Sequence, residues 1–213
     1  MSERADERAR MVAEQIEARG VHDPDVLRAM REVPRHLFVP PALAAEAYAD
    51  RALPVEDDQT ISQPYIVALM AEALDLERGS RVLEIGTGTG YAAAVLAALG
   101  AEVYTIEIRE ALAASAAARL ASLGVAHVHV RCGDGALGWD EMAPFDGIAV
   151  AASGPDVPPA LVEQLAVGAH LVLPIGPQSG VQQLVRITRR AQGTTRERLG
   201  GVMFVPLVHA TYN

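Results

Sequence analysis

Lysine is absent: all 18 basic residues of the 213 are arginine. Schiff-base chemistry and a phosphate-gripping P-loop lysine are thereby excluded. The single cysteine, Cys132, rules out an internal disulfide and any four-cysteine zinc site. Positive charge is also in deficit. Against 27 Asp and Glu the formal charge is -9, which disfavours a broad electrostatic grip on nucleic acid or anionic lipid and points to small-molecule or protein substrates. No apolar run reaches the roughly 18 residues of a membrane-spanning helix. The start, Met1-Ser2-Glu3-Arg4-Ala5-Asp6-Glu7-Arg8, has no apolar core of a secretory signal, so a cytoplasmic address is expected. With 50% hydrophobic and 21% charged residues the chain is globular. A prior of roughly 150 residues per domain favours one domain with an elaboration.

Ala5, Ala9, Val12 and Ile16 recur at helical spacing up to Gly20, and Asp23-Pro24 caps a second helix that Pro34 ends. A proline-punctuated stretch from Val33 to Pro54 holds one short alanine-rich helix, and no strand pattern precedes residue 80. Residues 1–79 are therefore expected as a helical segment covering an active site, and 80–213 as a Rossmann-like core integrated with it. In that core, strands at Arg81 to Ile85, Val103 to Ile106, Val128 to Val130, Phe145 to Ala151 and His170 to Pro174 alternate with helices at Tyr91 to Leu99, Glu110 to Leu123 and Pro158 to Ala166. This alternation predicts an α/β fold, a doubly wound, mostly parallel sheet with helices on both faces.

Only Gly176-Pro177-Gln178-Ser179-Gly180 separates the fifth strand from the next, Val181 to Thr188, too little chain for a parallel crossover. The two should form an antiparallel hairpin. A polar segment, Arg189 to Arg198, leads to a last strand, Val202 to Val208. The predicted seven-strand order is 3-2-1-4-5-6-7, with strand 6 alone reversed.

Glu84-Ile85-Gly86-Thr87-Gly88-Thr89-Gly90 turns the first strand into its helix. The position three after Gly88 is Tyr91, so the dinucleotide pattern G-x-G-x-x-G is not met. G-x-G-x-G after an acid resembles the S-adenosylmethionine loop of class I methyltransferases. That cofactor offers an ammonium and a sulfonium in place of a pyrophosphate, and Glu84 suits the cationic end. Glu107 ends the second strand 21 residues after Gly86, near the ~20-residue offset of a ribose-binding acid. Gly133-Asp134-Gly135 follows the third strand, where an acid can accept from the adenine amino group. The three acids are expected to converge on one crevice at the strands' carboxyl ends.

Thr60-Ile61-Ser62-Gln63-Pro64 precedes an apolar helix, Tyr65 to Leu76, which Ser62 or Gln63 could cap. It stands in order with Val33-Pro34-Arg35, Phe38-Val39-Pro40, Ala143-Pro144-Phe145-Asp146, Leu173-Pro174-Ile175-Gly176-Pro177 and Phe204-Val205-Pro206-Leu207. This set, from about Met11 to Leu207, closely resembles the protein-L-isoaspartate O-methyltransferases. The resemblance implies methyl transfer from S-adenosylmethionine to isoaspartyl α-carboxylates of damaged proteins and peptides; a monomer with no metal, nucleic acid or membrane partner is expected. It carries the active-site serine onto Ser62, cofactor contacts onto Thr60, Ile61, Glu84, Gly86, Thr87, Gly88, Glu107, Gly133, Asp134, Gly135 and Val208, and substrate contacts onto Ser62, Gln63, Pro64 and Val205.

Val150-Ala151-Ala152-Ser153-Gly154-Pro155 and the tail beyond Leu207 depart from the family pattern. Two alternatives stay open: a relative that methylates an aspartate side chain in one partner peptide, and a catalytically silent adenosyl-binding module. The close pair His127 and His129 is read as structural or partly exposed, with no carboxylate motif beside it. Cys132 is expected as a small buried apolar residue, and Trp139 either near adenine or in the core.

Overall fold

The computed structural model describes residues 4–55, 59–177 and 180–208. The N-terminal helix forms as an α-helix, α1 (Ala5–Met11), that continues through a π turn (Val12–Ile16) and a 3-10 turn (Glu17–Arg19) to Gly20. Asp23 caps α2 (Pro24–Glu32) by accepting the backbone N–H groups of Asp25 and Val26 at 2.8 and 2.9 Å. The proline-punctuated stretch holds 3-10 turns (Arg35–Leu37 and Pro41–Glu46) where an α-helix was expected. Six residues behind two prolines are too few to offset helix nucleation. Leu53–Pro54 pairs with Thr60–Ile61, a strand pair before residue 80 that is too short to show alternation. α3 (Pro64–Ala73) follows.

The main sheet contains β1 (Arg81–Ile85), β2 (Glu102–Glu107), β3 (Val128–Cys132), β4 (Phe145–Val150), β5 (Leu165–Ile175), β6 (Gln182–Arg189) and β7 (Thr194–Val202). Helices α4 (Tyr91–Ala98), α5 (Glu110–Ser122) and α6 (Pro159–Gln164) join the parallel strands. The order is the expected 3-2-1-4-5-6-7, and β6 alone runs antiparallel to both neighbours. Gln178 and Ser179 of the hairpin turn lie outside the described residues.

Side chains of successive strand residues point to opposite faces. Val82, Val103, Ala149, Val172 and Leu184 join a core built with α2, α3, α4 and the N-terminal helix. Leu83, Ile148, Leu171, Leu173 and Val185 join a second core closed by Leu161 of α6. The first core holds residues from both sides of position 80, so the helical segment and the sheet share one interior.

Three boundaries differ from expectation. α6 stops at Gln164 and β5 already begins at Leu165, where the Arg189 guanidinium donates to the Glu163 and Leu165 carbonyls. The polar segment expected as a connection is mostly strand. β7 is a sheet edge, and an edge strand bears exposed charges such as Arg196, Glu197 and Arg198 without the apolar alternation that reveals a central strand. Residues 203–208, expected as that strand, instead cross the carboxyl end of β4. There Ser153 N–H donates to the Val205 carbonyl and Leu207 N–H to the Ser153 carbonyl, each at 2.8 Å. Pro206 has no N–H with which to extend the ladder.

Candidate active site

A cavity of about 840 Å³ opens at the carboxyl ends of β1, β2 and β4, where strand order reverses and ligands of such sheets bind. Gly86, Thr87, Gly88 and Glu107 line its floor, Thr60, Ile61, Ser62 and Gln63 one wall, and Val205 and Val208 the other. Gly135 also borders it.

The sheet ladder carries the floor past the end of β1: Gly86 N–H donates to the Ile106 carbonyl and Ala151 N–H to the Ile85 carbonyl, both at 2.8 Å. The chain then turns with Gly86 at φ 94° and Gly88 at φ 53°, angles that residues with a Cβ rarely adopt. A Cβ on Gly88 would meet no protein atom within 4 Å, so its absence keeps ligand space open above the loop. Glu107 clasps the loop. Its Oε2 accepts Gly88 N–H at 2.9 Å and its Oε1 accepts Arg109 N–H at 3.1 Å, in a carboxylate that is only 6% exposed. Arg119 of α5 donates to the Thr89 carbonyl at 2.9 Å and braces the loop from the other side.

Glu84 is buried beneath the loop and is not among the residues that line the cavity; strand register sets it beside Thr105 on the same sheet face as Glu107. The Thr105 hydroxyl donates to its Oε2 at 2.6 Å and stands 2.6 Å from the Thr87 hydroxyl. Burial pushes the Glu84 carboxyl up to about 8, against the lowering effect of the Thr105 bond and reinforced by the nearby Glu107. Glu84 can therefore support the loop through two threonines.

The Asp134 carboxylate, half-buried, accepts Ala136 N–H at 2.9 Å and caps a 3-10 turn. Gly133, Asp134 and Pro64 are not among the lining residues. The second glycine of that triplet has a steric reason, since a Cβ on Gly135 would lie 2.2 Å from Ile85 Cγ2. Neither Ser62 nor Gln63 caps α3 with its side chain. The Gln63 amide instead donates to Asp50 Oδ1 at 2.7 Å, leaving the Ser62 loop to be held by its backbone, whose carbonyl accepts Arg35 Nη1 at 2.9 Å.

Several lining residues carried no assignment in the sequence reading: Arg19 and Asp50, paired at 3.1 Å, Tyr65 beneath the Arg19 guanidinium at 3.6 Å, and Tyr91. Long-range pairs of this kind leave no mark on local spacing. Ser153 and Gln182, which hold the 203–208 segment, also went unassigned. For Ser153 the signal was the departure of the 150–155 motif from the family pattern; Gln182, inside a strand, carried none.

The histidine pair is exposed and Trp139 packs on the second core, both as expected, whereas the surroundings of the pair and the burial of Cys132 differ. His127 and His129 both reach Glu102, at 3.0 and 2.5 Å, and their bonds hold its carboxyl below the usual range. A carboxylate thus does stand beside the pair, on the paired strand β2, 25 and 27 residues away along the chain. Cys132 is exposed, because β3 is the other sheet edge. Trp139 packs edge-on against Tyr104 away from the cavity, with Arg131 over its ring at 4.9 Å. No group of three or more metal-ligating residues occurs among the described residues.

The buried Glu84 generates a pH dependence. A carboxyl raised from about 4.5 to about 8 keeps its proton in the folded chain while the unfolded chain has released it. Its stabilising contribution is complete below about pH 4.5 and is lost as pH rises through about 8, at up to about 1.4 kcal/mol per pH unit. Glu84→Gln, which carries no titrating proton, should remove that slope. Urea unfolding of both proteins at about pH 5, 6.5 and 8 checks this, and parallel pH profiles would show that Glu84 is ionised in the fold.

The sequence model for protein-L-isoaspartate(D-aspartate) O-methyltransferase (PCMT) matches residues 6–212. Protein-L-isoaspartate O-methyltransferase 1 of Rhodopseudomonas palustris is 57% identical over 96% of this chain and 84% of its own. Protein-L-isoaspartate O-methyltransferase 2 of Marinobacter nauticus is 55% identical over 96% and 94%. Among solved structures, a protein-L-isoaspartate O-methyltransferase superposes with a TM-score of 0.84 at 29% identity, covering 95% of this chain and 65% of that one. A Plasmodium falciparum protein assigned as a protein-L-isoaspartate O-methyltransferase (PCMT), solved with S-adenosyl-L-homocysteine, gives 0.80 at 25% identity, covering 95% and 99%. With the model matched over nearly its whole length and relatives this similar, the chain belongs to the protein-L-isoaspartate(D-aspartate) O-methyltransferase family.

Proposed function

We propose that this chain methylates the free α-carboxylate of L-isoaspartyl residues in damaged proteins and peptides, using S-adenosylmethionine, and that the ester then closes to a succinimide. The observation that carries the reading is one cavity walled by the Ser62 loop and floored by the glycine loop with its clasped acid. The cavity fits the cofactor. Its ~840 Å³ lies in the range of small-molecule sites, and it combines open space above Gly88, a buried strand-end acid and apolar walls from Ile85, Ile106 and Ile108.

S-adenosylmethionine, when bound, supplies a methyl group already activated on sulfonium. Glu107 is the acceptor suited to ribose hydroxyls, and Gly86, Thr87 and Gly88 offer backbone at close approach. Thr60, Ile61 and Val208 close the sides, while Glu84 acts at one remove, through Thr105 and Thr87. A substrate carboxyl with an unperturbed pKa of about 3.5 to 4 is ionised at neutral pH, so no general base is needed. The remaining task is alignment and shedding of water from the carboxylate. Ser62 orients that carboxylate by one donated hydrogen bond, with Gln63 and Val205 bordering the peptide. No step requires Ser62 as a nucleophile.

Three measurements test this. Wild-type protein given labelled cofactor and matched peptides should label the isoaspartyl peptide and spare the aspartyl one; equal labelling, or none, would overturn the reading. Glu107→Ala should weaken cofactor binding in calorimetry by about 1.5 to 3 kcal/mol, roughly 10- to 150-fold, with peptide affinity little changed. An unaltered dissociation constant would reduce Glu107 to a structural acid. Ser62→Ala should keep cofactor binding and lower turnover by roughly 5- to 150-fold, the loss of one positioning hydrogen bond of about 1 to 3 kcal/mol. Because Ser62 makes no side-chain cap, its melting temperature should hold; a falling melting temperature with intact turnover would count against the positioning role.

A further inference from the structure

Arg35 is the most deeply enclosed charge near the cavity. It is fully buried (0% exposed), and no carboxylate among the described residues pairs with it. Its guanidinium serves backbone instead. Nε donates to the Ala47 carbonyl at 2.7 Å, Nη1 to the Ser62 carbonyl at 2.9 Å, and Nη2 stands 3.5 Å from the Arg51 carbonyl. The face of the Tyr91 ring lies 5.1 Å away. Tyr91 is itself buried, borders the cavity and begins α4 directly after the glycine loop.

Burying a charge without a counter-ion is costly, and such an arrangement persists where the rest of the structure over-determines it. Burial pulls the Arg35 group down to about 10, still well above neutral pH, so it remains a cation. Two of the three carbonyls it gathers, those of Ser62 and Arg51, belong to residues that line the cavity, the third is that of the buried Ala47, and the Ser62 loop has no side-chain cap to fix its height. Only a rigid fork with several donors can reach separate carbonyls from one buried point; a lysine ammonium is a single point on a flexible stem.

We propose that Arg35 is a positioning residue for methyl transfer: by gripping the Ser62 carbonyl against Ala47 and seating its guanidinium on Tyr91, it fixes the Ser62 loop relative to the glycine loop. The inference rests on the methyltransferase reading for its catalytic consequence, but the grip itself is measurable without turnover.

Arg35→Met leaves core carbonyls without donors and risks loss of the fold, so Arg35→Lys, which keeps the charge and a single donor centre, is the variant of choice. Hydrogen exchange of the amides of 59–63 should speed up by about 10-fold or more in R35K, with those of 81–85 unchanged. Cofactor affinity should stay within about 3-fold, while kcat/KM for the isoaspartyl peptide falls by about 20-fold or more. In the S62A background the same substitution should cost under about 3-fold, since two residues that act through one contact are not additive. Unchanged exchange at 59–63, or R35K and S62A losses that multiply, would overturn the proposal. A wild-type protein inactive on both peptides would strike the methyltransferase reading alone, and the exchange result would still decide for or against the grip.

Discussion

The cavity is anchored by two hydrogen bonds that continue the sheet beyond the last residue of its central strand. Ile85 is followed by a glycine whose N–H is held by β2, and its own carbonyl is held by the residue after β4. These bonds, on either side of β1, fix where the glycine loop starts and in which plane it turns. Strand register then decides what stands beneath it: Glu84 beside Thr105, with Glu107 two residues further along the same face. A one-residue slip between the two strands would put Glu84 on the opposite face from Thr105 and Glu107. Cofactor chemistry thus depends on backbone pairing before it depends on any side chain.

The exclusive use of arginine finds a structural counterpart. Arg8, Arg28, Arg35, Arg81, Arg119 and Arg189 all donate to backbone carbonyls, several of them across more than twenty residues of chain. A guanidinium presents five donors in a fixed plane and can satisfy carbonyls left at helix ends and turns. The N-terminal segment, dense in prolines and 3-10 turns, has many such carbonyls and little regular structure in which to pair them. Arg8 and Arg35 reach carbonyls of that region, while Arg28, Arg81, Arg119 and Arg189 reach carbonyls at helix ends and turns around the sheet.

Much of the molecule was legible because its signals are local. The short hairpin turn alone dictated the reversed strand and hence the sheet order, and the glycine loop and Glu107 were marked by spacing. What escaped notice was either non-local or on an edge. β7 is charged because it has solvent on its free side, so its pattern looks like a loop. Glu84 and Asp134 were recognised as strand-end acids, yet spacing does not report which way a carboxylate turns; one bonds to a threonine on the next strand and the other to its own turn. Arg35 stood inside a recognised motif without a role, since its partners lie 12 and 27 residues away along the chain.

The two open margins of the sheet bear on how such a protein meets its proposed partners. β3 carries His129 and Arg131 along one margin, and β7 carries Arg196, Glu197 and Arg198 along the other. Damaged polypeptides are often partly unfolded and offer bare strands that would zip onto any flat, uncharged margin. Charged margins discourage such adhesion. Strand addition is thereby opposed at both ends of the ladder, and the sheet stays seven strands wide whatever extended chain comes near it.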